Sequence, residues 1–280
     1  RPSMGTPDRA VTARIALLAG KGRFPFLVAE EARRQGRSVV VLGIQGWADA
    51  TLATAVEAYE SIQVGALGQL IQRLKAHGIQ EAIMAGKVTK EVLFNSSSAF
   101  DGETVALLQT LKDASVNGLL GAIAERLSRE GITLLDSSTF LKSSLCPAGV
   151  LTTRAPSAAE QDDIRYGVGV ARTLAGVDVG QTILLKRRVV AAVEALEGTD
   201  EAIRRAHELA GEGLVMVKVA SPHQDMRFDL PVLGEQTIDV ACASGVACVA
   251  VEAHKTLLLN KARLIERANA ADLCLSGVEP

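Results

Sequence analysis

Short apolar runs, each followed by a turn and a stretch of helical character, set the pattern of the first half of the chain. They are ARIALLA (Ala13–Ala19), SVVVLG (Ser38–Gly43) and EAIMA (Glu81–Ala85). Runs this short and this apolar suit strands covered on both faces. Between them, Phe24–Gln35 reads as a helix with Pro25 in its first turn and Gly36 past its end, and Leu67–Ala76 as another. Successive strands joined through helices run parallel, because each return is a crossover. Ser61–Val64 is expected as a short third strand, Asp101–Glu130 as two helices and Ile132–Leu135 as a last strand. The first half therefore predicts a Rossmann-like parallel sheet.

The second half reads differently. Ser143–Pro156 holds Pro147, Gly149 and Pro156, and a linker between domains is placed there. The expected division is residues 1–145 as a nucleotide-binding domain and 155–280 as a catalytic one. Ser157-Ala158-Ala159-Glu160 has the spacing of a capping box, opening a helix to about Ala175. Gln181–Leu185 and Val189–Ala195 read as a hairpin, followed by a helix at Thr199–Ala210 and a strand at Leu214–Val219. A helix (Gln236–Ala243), strands (Val246–Val251 and Lys255–Leu258), a helix (Lys261–Ala271) and a strand (Leu273–Val278) complete an α/β domain with a mixed sheet. The fold class is α/β in two domains, with a ligand cleft expected between them.

Composition narrows the function classes. The chain is 48% hydrophobic but only 3% aromatic, and its formal net charge is −2. With no Arg/Lys block and few rings for stacking, it suits nucleic acid poorly. No apolar run approaches the roughly 18 residues that a membrane span needs. The polar opening Arg1–Ala10 has no secretory signal and is expected to be a tail outside the fold. Cys146, Cys242, Cys248 and Cys274 form no C-x-x-C pair, so they read as small buried hydrophobes in a reducing cytoplasm.

Four stretches carry polar groups where open α/β sheets bind ligands, at the carboxyl ends of strands. In AGKGRFP, Gly20 and Gly22 allow close backbone approach, Lys21 and Arg23 add positive charge, and a helix N-terminus follows. The same residues also suit a plain strand-to-helix turn. A third glycine is missing and no acid ends the second strand, which argues against NAD. In MAGKV, Gly86 and Lys87 reach the same sheet edge, where Lys87 is either a phosphate contact or a solvated lysine. VEALEGTD holds Glu194, Glu197 and Asp200; Thr199 or Asp200 suits a helix cap, whereas Glu194 is costly to bury unless paired or bound to a cation.

SPHQDMRFDLP (Ser221–Pro231) follows an apolar strand, and its two prolines resist helix. In an extended chain Asp225, Arg227 and Asp229 share one face. That face is either a salt-bridge ladder or a place where acids hold Mg²⁺ and Arg227 grips phosphate. His223 lies in the same loop as a candidate base.

Taken in order, AGKGRFP, MAGKV, GVLTTRAPSAAEQDDI, DVGQT, VEALEGTD, VMVKVASPHQDMRFDLPVLG and GVACVAVEAHKTLLL resemble the UDP-2,3-diacylglucosamine pyrophosphatases of lipid A biosynthesis, the LpxI type. The likeness covers nearly the whole chain. It implies hydrolysis of UDP-2,3-diacylglucosamine to UMP and 2,3-diacylglucosamine 1-phosphate (lipid X), with Mg²⁺ and with the lipid between two domains. It further implies a cytoplasmic enzyme in peripheral contact with the inner-membrane surface; a homodimer is left open.

The family's acidic loop maps onto Gln224, Asp225, Arg227 and Asp229, and its EGTD onto Glu197, Gly198, Thr199 and Asp200. The resemblance makes Asp225 the first catalytic acid; with the acidic clusters read together, Glu194 is its expected catalytic partner, and Asp225, Glu194 and Asp229 are the expected metal ligands. The expected substrate contacts are Gly20, Lys21, Gly22, Gly86, Lys87, Gln181, Thr199, Asp200, Lys218, Gln224 and Arg227. The chain departs from the pattern at Lys21, Arg23 and Phe24, and at Ser221 and His223, where Lys and Gly are expected; His223 is thereby a poor candidate for a shared base. Two other readings remain: a nucleotide-sugar binding or regulatory module that does not hydrolyse, and a nicotinamide oxidoreductase.

Overall fold

The structure, a computed structural model, describes residues 13–88, 100–111 and 116–279. The expected tail at 1–10 lies outside the described residues. The chain divides into two compact units, Arg1–Phe140 and Leu141–Pro280.

The first unit is built on five parallel strands: β1 (Arg14–Ala19), β2 (Ser38–Ile44), β3 (Ala58–Ile62), β4 (Glu81–Ala85) and β5 (Thr133–Leu134), in the order β3-β2-β1-β4-β5. This is the order of a doubly wound sheet, with the switch in direction between β1 and β4. Helices α1 (Phe24–Arg34), α2 (Leu67–Ala76), α3 (Gly102–Thr110) and α4 (Val116–Arg129) connect and cover it. Apolar runs become central strands because both faces are buried: Ile15 through Ala19 and Val39 through Leu42 are all nearly inaccessible.

The third strand lies earlier than the sequence suggests. Ala58–Ile62 pairs with β2, in register Val40↔Ala58 to Ile44↔Ile62, and the expected Val64 falls in the turn at Gly65 (φ +82°). An edge strand containing Tyr59 and Glu60 has no strong apolar signal, so the ladder sets its register. A 3₁₀ turn over Ala50–Ala55 precedes it, capped by Asp49, which accepts the Thr51 N–H at 2.9 Å.

At the switch point, the turns after β1 and β4 lock together. The Lys21 N–H donates to the Lys87 carbonyl and the Lys87 N–H to the Lys21 carbonyl, each at 2.9 Å, while the Gly20 N–H donates to the Ala85 carbonyl at 2.8 Å. A Cβ on Gly20 would lie 2.8 Å from the Lys87 carbonyl oxygen; one on Gly86 (φ +95°) would lie 2.7 Å from the Gly20 carbonyl carbon. The obstacle is main chain in both cases, so it cannot rotate away. Gly20→Ala and Gly86→Ala are each expected to destabilise the protein by about 1–3 kcal/mol. Gly22→Ala, whose Cβ would meet nothing within 4 Å, should lose only the backbone term of about 1–2 kcal/mol. Denaturant midpoints of the three variants would check this ranking.

The second unit contains β6 (Gly149–Val150), α5 (Ala158–Gly176), β7 (Thr182–Lys186), β8 (Val189–Val193), α6 (Thr199–Ala210), β9 (Leu214–Lys218), β10 (Val232–Leu233), α7 (Glu235–Ala243), β11 (Val246–Glu252), β12 (Leu257–Leu258), α8 (Lys261–Ala270) and β13 (Cys274–Val278). Its six-stranded sheet has the order β6-β13-β11-β9-β7-β8. β9, β11 and β13 run parallel, whereas β6, β7 and β8 join antiparallel, so the sheet is mixed. Alternation divides the core. Val215, Val217, Cys248 and Ala250 pack with Ile164 and Ala171 of α5, while Met216, Val249, Val251 and Leu275 pack with Ile203, Ile238 and Leu264 on the other face.

The capping box forms: the Ser157 hydroxyl accepts the Glu160 N–H at 3.3 Å and the Glu160 carboxylate accepts the Ser157 N–H at 2.8 Å. The Pro/Gly-rich stretch before it is no free linker. Gly149–Val150 pairs with Ser276–Gly277 as an edge strand, and Gly277 is required there because a Cβ would lie 1.9 Å from the Pro147 carbonyl oxygen. The short strand expected at Lys255–Leu258 shrinks to β12, which pairs in parallel with β10. All four cysteines are free; Cys146, Cys248 and Cys274 are buried and Cys242 is half-buried.

Candidate functional site

The polar residues of the second unit gather where β9 ends, beside the start of β7 and the end of β8. Lys218 is the last residue of β9 and pairs across the sheet with Thr182, the first of β7. Strand alternation puts it on the face of Met216, under the N-terminus of α6. Its ammonium is buried, with the side chain 8% exposed, and donates to the Thr182 hydroxyl at 3.0 Å and the Thr199 hydroxyl at 3.3 Å. Glu194, one residue past β8, accepts the Thr199 hydroxyl on Oε1 at 2.7 Å, and its Oε2 lies 3.7 Å from the Lys218 Nζ. Burial of a cation is thus offset by an anion and two hydroxyls.

Thr199 and Asp200 are not helix caps. Gly198 (φ +85°) occupies the N-cap position of α6, with no side-chain cap bond. Thr199 serves Glu194 and Lys218 instead, and Asp200 accepts Gln236 Nε2 at 2.7 Å and the Thr237 hydroxyl at 2.8 Å, tying α6 to α7. Glu197 pairs with Arg205.

The loop Ser221–Pro231 is coiled rather than extended. The Phe228 and Asp229 N–H groups both donate to the Asp225 carbonyl, at 3.2 and 2.9 Å, forming a helical turn. Asp225, Arg227 and Asp229 therefore do not line one face of an extended strand. Arg227 folds back on Asp225 in a two-pronged ion pair, with Nε 2.9 Å from Oδ1 and Nη2 2.5 Å from Oδ2. Hydrogen bonding from Arg227 holds the Asp225 carboxyl below the usual carboxylate range. Asp225 and Asp229, four apart on one turn, fall on the same side of it.

Gln181 connects the loop to the sheet: its Nε2 lies 3.3 Å from Gln224 Oε1 and 3.4 Å from both Asp229 carboxylate oxygens. Gln224 Oε1 also accepts the Ser221 N–H. His223 is exposed. Two side-chain atoms of this region are buried with no hydrogen-bond partner: Glu194 Oε2, an acceptor, and Gln224 Nε2, a donor. Buried polar atoms are ordinarily hydrogen-bonded, so each of these two has capacity for a further polar group, Glu194 Oε2 having only the Lys218 ammonium at 3.7 Å.

The expected metal set is corrected. Among the described residues no group of three or more His, Cys, Asp or Glu side chains is placed to hold an ion, so Glu194, Asp225 and Asp229 do not form one cage. Glu194 faces an ammonium instead. Asp225 and Asp229 share the loop, with Asp225 paired to Arg227 and Asp229 beside Gln181; Mg²⁺ commonly takes one or two carboxylates and completes its shell with phosphate oxygens and water.

In the first unit, Gly20, Lys21, Gly86 and Lys87 meet at the switch point, but the Gly20 and Lys21 amides are consumed by the bonds between the two turns. The close approach of Gly20 and Gly86 is to each other. Gly22, with open space beside it, and the exposed Lys21 and Lys87 side chains remain on that edge.

Thr182 and Glu252 were not singled out by sequence reasoning. Glu252 carried the same signal as Glu194, an acid ending an apolar run (VACVAVE).

These features define a two-domain α/β protein: a doubly wound parallel sheet, then a mixed sheet with a cationic and acidic polar centre at its strand ends. The LpxI N-terminal domain matches residues 14–144 and the LpxI C-terminal domain residues 147–276. With both domains present in order, the chain belongs to the LpxI family. A curated relative, the UDP-2,3-diacylglucosamine pyrophosphatase LpxI of Caulobacter vibrioides, is 29% identical over 278 residues, covering 95% of this chain and 98% of its own. Among solved structures, glycinamide-RNase-transformylase T from Mycobacterium tuberculosis aligns at 14% identity over 65% of this chain and 44% of its own, with a TM-score of 0.25. That last likeness carries no inference. Among the described residues no helix is long and apolar enough to cross a membrane.

Proposed function

We propose that the chain hydrolyses the diphosphate of UDP-2,3-diacylglucosamine, releasing UMP and 2,3-diacylglucosamine 1-phosphate in lipid A biosynthesis. The near end-to-end match to a relative named for this pyrophosphatase supports the activity. The observation that supports the site is the buried Lys218–Glu194 pair at the sheet's strand ends, with hydrogen-bonding capacity left over at Glu194 Oε2 and at Gln224 Nε2 in the loop of two carboxylates.

Each residue then has a task that its surroundings permit. Lys218, fixed by Thr182 and Thr199, is a preset positive charge for phosphate oxygens, and Arg227 offers a second one in planar form. Gln224 offers an amide donor. Asp225, held ionised, cannot donate a proton at neutral pH; it suits holding a cation or orienting the attacking water. Asp225 and Asp229 would hold Mg²⁺. A divalent ion, when bound, neutralises charge on the phosphate and lowers the pKa of its water. Water supplies the new P–O bond and the bridging P–O bond breaks, so no side chain need act as nucleophile. In the first unit, Gly22, Lys21 and Lys87 are proposed to meet phosphate or nucleotide. A diacylated substrate would be met at the cytoplasmic surface of the inner membrane.

The test is direct. Purified protein given UDP-2,3-diacylglucosamine should release UMP and lipid X in equal amounts, lose that activity in EDTA and recover it with added Mg²⁺. Tight binding of the nucleotide sugar without release would support the binding-module reading instead. Turnover unaffected by EDTA would remove the cation.

A further inference from the structure

Glu252 ends β11 with a carboxylate that is almost wholly buried, the residue being 1% exposed. Nothing in the reaction proposed above employs it. Its Oε2 accepts the Ala220 N–H at 2.9 Å, and its Oε1 pairs with the Lys255 ammonium at 3.0 Å.

The bond to Ala220 replaces a missing rung of the sheet. β9 and β11 pair in parallel up to Lys218↔Val251. One residue on, the Val219 N–H turns toward β7 and donates to the Gln181 carbonyl at 2.9 Å. The Ala220 N–H then points the other way, toward β11, by the alternation of a strand. There the neighbouring chain turns away: the Glu252 carbonyl accepts the Thr256 N–H at 3.1 Å, and His254 takes φ +63° in that turn. A buried amide with no ladder partner is unfavourable. The Glu252 side chain supplies the acceptor, as an ionised group that makes the stronger bond. Ala220 is itself 1% exposed, and the next residue opens the loop carrying Gln224, Asp225 and Asp229.

We propose that Glu252 is a positioning residue: by fixing the Ala220 amide, it sets the point and direction from which the Ser221–Pro231 loop leaves the sheet. This rests on reading that loop as the catalytic one. Displacement of a reacting group by about 1 Å can lower a rate about 100-fold. Glu252→Ala is therefore expected to lower kcat for UMP release by about 10- to 100-fold, with KM changed by no more than about threefold. Glu252→Gln keeps an oxygen that can accept the amide and should recover most of kcat. Should the alanine variant fold poorly, the glutamine variant and rates normalised to folded protein keep the comparison readable.

A purely structural role predicts a lower melting temperature with unchanged kcat per folded molecule, and that result would overturn the proposal. Amide hydrogen exchange separates this inference from the functional reading. Faster exchange at Ala220 through Asp225 in Glu252→Ala, with the strands unchanged, supports the anchor even if the wild-type protein hydrolyses nothing. In that case the reaction assignment alone fails. Unaltered exchange across the loop overturns the anchor.

Discussion

Asp225→Asn should lower UMP release by about 10²–10³-fold, the usual loss when one preset electrostatic contact to a reacting centre is removed. The substitution keeps the side chain's size and removes only its charge. In the native protein that charge is fixed by the two-pronged pair with Arg227, which also holds the carboxyl below its usual range. An amide can still accept one bond from Arg227, so the loop should hold its turn, and the loss should appear in kcat rather than in folding. Steady-state release of UMP, set beside a melting curve, measures both. Turnover within about threefold of wild type would take Asp225 out of the catalytic centre.

The sign of the pH effect follows from the same pair. A carboxylate with a depressed folded-state pKa adds stability that is complete above its unfolded value and is lost as pH falls through the folded one. The stability gap between wild type and Asp225→Asn should therefore close on acidification, below the ordinary carboxylate range.

Lys218→Met is expected to destabilise the second unit by about 3–5 kcal/mol, because it strands the Glu194 carboxylate without its cation. Both side chains are largely out of water, 8% and 14% exposed, so solvent compensates little. Adding Glu194→Gln should restore most of the loss: the amide is neutral and can still accept the Thr199 hydroxyl. A double-mutant cycle from denaturant midpoints gives the coupling. Equal stability of the single and double variants would show that the two charges do not sense each other in the fold. Catalysis should not return in the double variant, since the preset positive charge would still be missing.

Much of the architecture was legible because it rests on local signals. Central strands β1, β2 and β4 are apolar on both faces, and Pro25, Gly36 and the Ser157–Glu160 box punctuate helices by short-range chemistry. β3 was misplaced because an edge strand is defined by its neighbour, not by its own residues. β6 and β10 are two-residue strands made by pairing alone. The site divided in the same way. Strand-end position points to Glu194 and the 221–231 loop, and the resemblance to Gln181, yet the spacing does not reveal the loop's form. Period-two spacing of Asp225, Arg227 and Asp229 implied an extended chain, whereas the Asp225 carbonyl gathers the loop into a turn. Thr199 or Asp200 suits a helix cap by sequence because nothing local reveals a lysine from another strand competing for the Thr199 hydroxyl.

The reciprocal main-chain bonds between Lys21 and Lys87, with Gly20 and Gly86 in contact, have a thermodynamic corollary. Neither turn can shift alone, so a ligand bound at the edge of the first sheet would meet it already ordered. Little conformational entropy is left to lose on association there, and affinity at that edge should depend on charge and fit rather than on the freezing of a loop.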